Sequence, residues 1–323
     1  MSNFGDYTGK ELLELNLTKR DWLVEKLIRE KDSIILVGDA KAGKSLLKQQ
    51  LCCSLTSQHP FLDKFHILRP CNVVDIQLEG ELEDTQDRYK RILESIDFEP
   101  SRYHLIFERP MELAHILHLN HLIERIERLF KGEKPDIIFI DPVYFAFSGG
   151  LSDDVTVRAF LGNIRVLKDR FSCTICLVHH THKLRINYRT GEILDEGDEA
   201  MFGSTFFRAF TDHVLLFVYD RKNNIRIMSC TTQRSGEIAE QTKLRLIQPK
   251  PLYFEEIEKE PTREAIVLHW IAQKPSGMDY EEIAKHTGLG RNTIYLSLKE
   301  LIKTGQVTKT ETRPVFYSKK GTQ

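Results

Sequence analysis

The sequence lacks the marks of a membrane protein, a disulfide scaffold or a disordered chain. Its longest uninterrupted apolar run is Val214–Tyr219, six residues, whereas a membrane-spanning helix takes about 20. Six cysteines, at 52, 53, 71, 173, 176 and 230, are too few and too scattered for a disulfide framework. The N-terminus, MSNFGDYTGKELLELN, has no basic region followed by an apolar stretch, so a cytoplasmic protein with no membrane partner is predicted. There is no internal repeat and no low-complexity tract. The net charge of −1 over 323 residues names no partner by itself. The 41% of hydrophobic residues is enough apolar material to bury a core, which excludes wholesale disorder.

Charge is unevenly placed. Residues 262–323 carry 10 basic and 6 acidic side chains, and residues 1–261 carry 36 and 41. A basic tail on an acidic body points to nucleic acid, because phosphates respond to local rather than average charge. The length predicts about two domains. Residues 1–30 read as a helical arm, with Leu12, Leu15, Trp22, Leu23, Leu27 and Ile28 near helical spacing. From residue 31 to 248, apolar runs alternate with helical patterns; the runs are Ile34–Val37, Val73–Leu78, His104–Phe107, Ile137–Ile140, Thr174–Val178, Val214–Tyr219, Ile225–Met228 and Leu244–Ile247. That alternation predicts an α/β fold with a mainly parallel sheet, antiparallel at the edge formed by the last strands. Pro249, Pro251 and Pro261 frame an acidic stretch, so 249–261 reads as a linker to a small domain, 262–323.

The strongest motif is Gly38, Asp39, Ala40, Lys41, Ala42, Gly43, Lys44 and Ser45, with Leu46 following. It matches G-x-x-x-x-G-K-[ST] between a predicted strand and a predicted helix. Glycines let backbone N–H groups face an anion, and the helix start adds free N–H groups and a positive dipole end. Lys44 can reach the β- and γ-phosphates of ATP, and the Ser45 hydroxyl can ligate Mg²⁺.

Two strands deliver carboxylates where ligands bind in open α/β sheets. Ile137–Ile140 ends in Asp141, suited to holding Mg²⁺; the alternative is a helix cap before Pro142. Val73–Leu78 ends at Glu79, suited to polarising an attacking water; Glu81, Glu83 and Asp84 compete for the role, but Glu79 directly leaves the strand and the others read as acids in the first turn of the next helix. His179, His180 and His182 follow another strand. A polar side chain at that strand tip can touch the γ-phosphate and report its loss; zinc fits less well, because no carboxylate or cysteine of ligand spacing accompanies them. Cys173 and Cys176 look like a C-x-x-C pair, but positions i and i+3 of a strand face opposite sides, so they read as core.

The ordered set of Gly38–Ser45, Glu79, Arg88, Asp141-Pro142, His179-His180-Thr-His-Lys183 and Gly203-Ser204 before Asp212 resembles RecA-like ATPases of the plasmid RepA hexameric helicase type, filed among AAA-like domains. The resemblance covers roughly residues 15–250. It implies a ring of about six subunits with ATP between neighbours, Glu79 as catalytic carboxylate, Asp141 on Mg²⁺ and His180 as sensor. It also implies a trans-acting arginine. Arg234 resembles the finger of a K-x-R-x-G pattern, with Thr232 where the lysine would stand, and Arg208 is the other candidate. Two segments are candidates to line a pore, Ser148–Asp154 and Lys183–Met201. By family analogy, Lys183, Arg185 and Arg189 in the second would grip single-stranded DNA.

The C-terminal domain reads as three helices and a hairpin, a pattern that resembles a winged helix-turn-helix. Arg291, Asn292, Thr293, Tyr295 and Lys299 lie on the outward face of the third helix, and Lys309 and Arg313 lie in the hairpin. Such a helix can enter the major groove of DNA while the wing touches phosphate. Three functions follow in order: a Mg-ATP-driven ring helicase or translocase, a DNA-binding ATP switch that does no unwinding, and a small-molecule kinase. The kinase reading leaves the basic tail unexplained.

Overall fold

The computed structural model describes residues 5–17, 19–180, 204–233, 240–257, 262–310 and 315–320. The chain divides into two compact units, Met1–Ile257 and Glu258–Gln323.

The first unit is built on a nine-stranded sheet. Its strands are β3 (Ser33–Gly38), β4 (Val73–Gln77), β5 (Tyr103–Phe107), β6 (Ile137–Asp141), β7 (Thr174–His180), β8 (His213–Asp220), β9 (Ile225–Gln233), β10 (Thr242–Ile247) and β11 (Tyr253–Glu256). They lie in the order β11-β10-β9-β8-β3-β7-β6-β4-β5. Pairing is parallel from β5 across to β8 and antiparallel from β8 to β11. The expected α/β class and antiparallel edge are therefore both found.

Strand alternation divides the core in two. Ile35, Val37, Ile138, Ile140, Ile175 and Leu177 face helices α4 (Ile116–Phe130) and α5 (Asp154–Phe171). Ile34, Leu36, Ile137, Phe139, Cys176 and Val178 face α2 (Lys44–Ser57). Helix α4 buries Leu119, Leu122, Ile126 and Phe130, one stripe of the predicted pattern. Cys173 and Cys176 fall in opposite cores, as the strand geometry requires, and all six cysteines are buried and free.

Two boundaries differ from the sequence reading. The helical arm holds only for α1 (Gly9–Glu14), capped by a reciprocal Thr8–Glu11 box. Trp22–Val24 (β1) and Ile28–Arg29 (β2) form an antiparallel hairpin instead. Leu23, Val24, Leu27 and Ile28 are all buried in the core on the α2 side. Two apolar pairs about one helical turn apart fit one helix face or the two sides of a tight turn. Here Glu25 N–H donates to the His66 carbonyl at 2.8 Å, so pairing with a distant loop decides for the hairpin. The expected linker 249–261 also contains an element of the body. Strand β11 pairs with β10, Leu246 opposite Phe254, and Phe254 is 1% exposed. Pro249 and Pro251 precede an edge strand, a position where proline costs the sheet no hydrogen bond.

The second unit has α7 (Arg263–Gln273), α8 (Tyr280–Thr287), α9 (Arg291–Lys303) and a hairpin of β12 (Val307–Lys309) and β13 (Tyr317–Lys319). Asp279 and Glu282 make the expected capping box, and Gly288 closes α8 in the left-handed conformation. Val267, Ile271, Ile283, Ile294, Leu298, Leu301 and Val307 form its core. This is a winged helix-turn-helix.

Candidate functional site

Four neighbouring strands end within about two residues of one another, β3 and β7 reaching further than β6 and β4. Gly38 of β3 is in register with His180 of β7, and Asp141 of β6 with Gln77 of β4. Glu79 follows Gln77 by two residues. Parallel register thus brings four distant segments to one edge of the sheet, where open α/β sheets bind ligands.

The loop between β3 and α2 closes tightly. A Cβ on Gly38 would sit 1.8 Å from the Phe217 carbonyl oxygen of β8. Gly43 has φ +102°, and a Cβ there would meet the Phe254 ring at 2.8 Å. Both positions need glycine, one for close approach and one for conformation as well. Gly43 carries no side chain to cap α2, so the first N–H groups of the helix stay free to face an anion.

Lys44, 3% exposed, is held inside this loop. Its ammonium donates to the Gly38 and Asp39 carbonyls, each at 2.8 Å, and to His180 Nδ1 at 2.9 Å. Because Nδ1 accepts from a charged lysine, the proton of a neutral His180 ring sits on Nε2, facing Glu79 Oε1 at 3.9 Å. Tyr144 donates to Glu79 Oε2 at 3.4 Å, and its ring lies 5.9 Å from that of His180. Gln77 fixes the turn by donating to the Glu79 carbonyl at 3.0 Å and to Thr85 Oγ1 at 2.6 Å. Burial lowers Lys44 to about 8, against the opposing pull of Asp141, Asp39 and Glu79. A cleft of about 690 Å³ is lined by Ala40, Lys41, Gly43, Lys44, Ser45, Leu46, Glu79, Arg88, Tyr144, His180 and Leu252.

The sequence-read residues thus divide. The loop residues, Glu79 and His180 come together. Glu81, Glu83 and Asp84 are exposed at the start of α3 (Leu82–Ile92), away from the lining. His179 points to the other face of β7, its ring 5.2 Å from that of Phe207. Asp141, 1% exposed, gives Oδ2 to Lys48 at 3.0 Å and leaves Oδ1 with no hydrogen-bond partner. Arg208 is half-buried on α6 (Thr205–Phe210). His182, Lys183, Arg185, Arg189, Gly203, Arg234 and Arg313 lie outside the described residues. Among those described, no three His, Cys, Asp or Glu side chains group as a metal cluster.

Sequence reasoning missed Lys48 and Asp75, joined at 2.6 Å and both wholly buried. A signal was present: a lysine one turn beyond Lys44 on α2, and an aspartate inside the apolar strand VVDIQ. Buried charges of this kind need partners. It also missed Tyr144 and Leu252, which carry no motif.

In the second unit Arg291, Asn292, Tyr295 and Lys299 are exposed on α9, Tyr295 to 60%, while Thr293 is half-buried. Tyr280 donates to the Arg291 carbonyl at 2.6 Å and anchors the start of the helix.

A family model described as AAA domain matches residues 6–185, more than half of the chain. The chain belongs to the AAA domain family. A helix-turn-helix domain model matches residues 261–306 of this AAA protein. No curated protein matches it in sequence. Among solved structures, a KaiC-like protein of the hyperthermophilic archaeon Pyrococcus horikoshii aligns with a TM-score of 0.50 at 13% identity, covering 73% of this chain and 94% of that one. A second solved structure, an ATPase domain, aligns with a TM-score of 0.51 at 9% identity, covering 71% of this chain and 86% of that one. These likenesses show a RecA-like fold. The AAA protein is thus a P-loop ATPase with a C-terminal helix-turn-helix domain. A fold of this kind does not by itself choose an activity.

Proposed function

We propose that this AAA protein is a cytoplasmic Mg-ATP-dependent ATPase acting on DNA, a ring-forming helicase or translocase. One observation carries the reading: Lys44, His180 and Glu79 form a linked row along the cleft behind the phosphate loop. A triphosphate on the loop amides would replace the two carbonyls that Lys44 now contacts. The γ-phosphate then lies between Lys44 and Glu79, with Glu79 placed to take a proton from an attacking water. His180 touches both Lys44 and Glu79, so loss of the γ-phosphate changes its contacts. Asp141 and Ser45 would hold magnesium, and the unpartnered Asp141 Oδ1 is the hard oxygen such an ion needs. Held there, magnesium would supply positive charge against the phosphates.

On this reading Arg234 completes a neighbour's site across the ring, and Lys183, Arg185 and Arg189 hold single-stranded DNA. Arg291, Asn292, Thr293 and Lys299, together with Arg313, touch duplex. The test is ATP turnover with and without single-stranded DNA. Stimulation is expected, with turnover lost in Lys44→Ala and Arg234→Ala. Mixing Arg234→Ala with Glu79→Gln subunits should restore part of it through mixed interfaces. Identical rates with and without DNA would sink the motor. The exposed duplex-reading face of α9 favours a second reading, an ATP switch that binds a site without unwinding. A duplex footprint with no strand separation would select it.

A further inference from the structure

The proposed nucleotide chemistry leaves Lys48 and Asp75 unused. Lys48 lies on α2 one turn beyond Lys44, and its side chain is 0% exposed. Its ammonium bridges two carboxylates on adjacent parallel strands, Asp75 Oδ1 at 2.6 Å and Asp141 Oδ2 at 3.0 Å. Asp75 stands opposite Phe139 and Gln77 opposite Asp141, so the two aspartates share one sheet face, two positions apart. That face is the one α2 covers.

The two aspartates are not equivalent. Asp75 is fully occupied: Lys48 takes one oxygen, and Tyr103 Oη donates to the other at 2.9 Å while accepting from Tyr89 Oη at 2.7 Å. Asp141 has one oxygen on Lys48 and the other, Oδ1, unpartnered. One ammonium thus serves two carboxylates, and of their four oxygens only Asp141 Oδ1 is without a partner.

We propose that Lys48 is the positioning residue of the nucleotide site's metal-side carboxylate. It clamps Asp141 by Oδ2 so that Oδ1 alone is offered to the cation, and Asp75 with Tyr103 holds Lys48 in place. The proposal rests on the nucleotide reading above. A buried ion pair can be replaced by uncharged groups of similar volume without loss of stability, whereas removing one partner leaves the other charge unpaired. Replacing Lys48 alone would leave two buried carboxylates without their cation, so the test changes the pair together, as Lys48→Met/Asp75→Asn, and leaves Asp141 as the one carboxylate there. Lys48→Leu/Asp75→Leu is a second filling of the same space. Both keep Asp141, and each is first shown to melt cooperatively as full-length protein.

Two quantities are then measured: binding of a fluorescent ADP analogue in EDTA, and Mn²⁺ binding to the protein–ADP complex by electron paramagnetic resonance. The pair variants should bind metal-free nucleotide like the parent. Their Mn²⁺ affinity should fall about 10–100-fold, the usual cost of losing a group that orients a metal ligand. Asp141→Asn should lower it as well, and adding Asp141→Asn to the pair variant should lower it no further. Unchanged Mn²⁺ affinity in a folded pair variant, with Asp141→Asn impaired, would overturn the proposal while leaving the nucleotide site standing. So would losses that simply add. If the parent binds no nucleotide, or Asp141→Asn leaves Mn²⁺ untouched, the nucleotide reading fails first and the proposal with it.

Discussion

The two units use charge in opposite ways. In the body, the charges that matter are removed from water. Lys44 and Asp141 are nearly inaccessible, Lys48 and Asp75 wholly so, and each is held by named atoms at hydrogen-bond distance. In the C-terminal unit Arg291 and Lys299 stand in solvent on α9. A buried charge acts through geometry, because each unpaired atom is costly and the surroundings fix its direction. An exposed charge acts through summed field, which salt screens and no single contact dominates. Function in the body should therefore break sharply at single residues. Function in the tail should erode gradually and depend on ionic strength.

The sharpest break is expected at Glu79. Glu79→Gln should cut ATP turnover by about 10²–10⁴-fold, the usual contribution of a positioned base, while ADP binding measured by calorimetry is retained. A comparable loss in Glu81→Gln would remove the distinction drawn from the cleft lining. Next comes packing. Phe254 of β11 lies against Gly43, and its ring meets that of Phe217 edge-on with centroids 5.3 Å apart. Phe254→Ala should cost about 3–5 kcal/mol, the range for emptying a buried aromatic site. Thermal melts should show the loss in the body's transition and not in that of the C-terminal unit.

Tail substitutions should behave otherwise. Arg291→Ala and Lys299→Ala should weaken duplex binding and each reduce the salt slope of affinity by about 1. ATP turnover without DNA should not change. A sudden loss insensitive to salt would mean that the tail, too, works by buried geometry. The smallest effect is a pH dependence. Lys44 sits at about 8 in the free fold against 10.5 ordinarily. Between those values the folded chain binds fewer protons than the unfolded one, so this group makes stability rise with pH across that window. Phosphates favour the ammonium, so nucleotide binding above pH 8 takes up a proton. Affinity should then fall, approaching about tenfold per pH unit. Calorimetry at pH 9 in two buffers of different ionisation enthalpy measures that uptake, and Lys44→Arg should abolish it.

Much of the candidate site was legible because its parts are local. A glycine-rich turn, a carboxylate at a strand end and histidines at a strand tip each show within a few residues. Their meeting was predictable because parallel strands place their C-terminal ends at one edge. Lys48 and Asp75 were visible as anomalies, but 27 residues of sequence separate them, and only strand register shows that they bracket Asp141. The apolar residues from Trp22 to Ile28 could be read two ways, since helix and hairpin expose the same spacing. Pairing with the distant 61–68 loop chose between them.

What the residues alone determined is the fold class, the phosphate loop and the winged tail, because periodicity, glycine placement and caps act over one or two turns of chain. Tertiary structure alone decided that β11 joins the sheet beneath Gly43, that Lys48 reaches both Asp75 and Asp141, and that one Asp141 oxygen is left without a partner. Each depends on groups far apart in sequence, and no local preference carries that information until the sheet has formed.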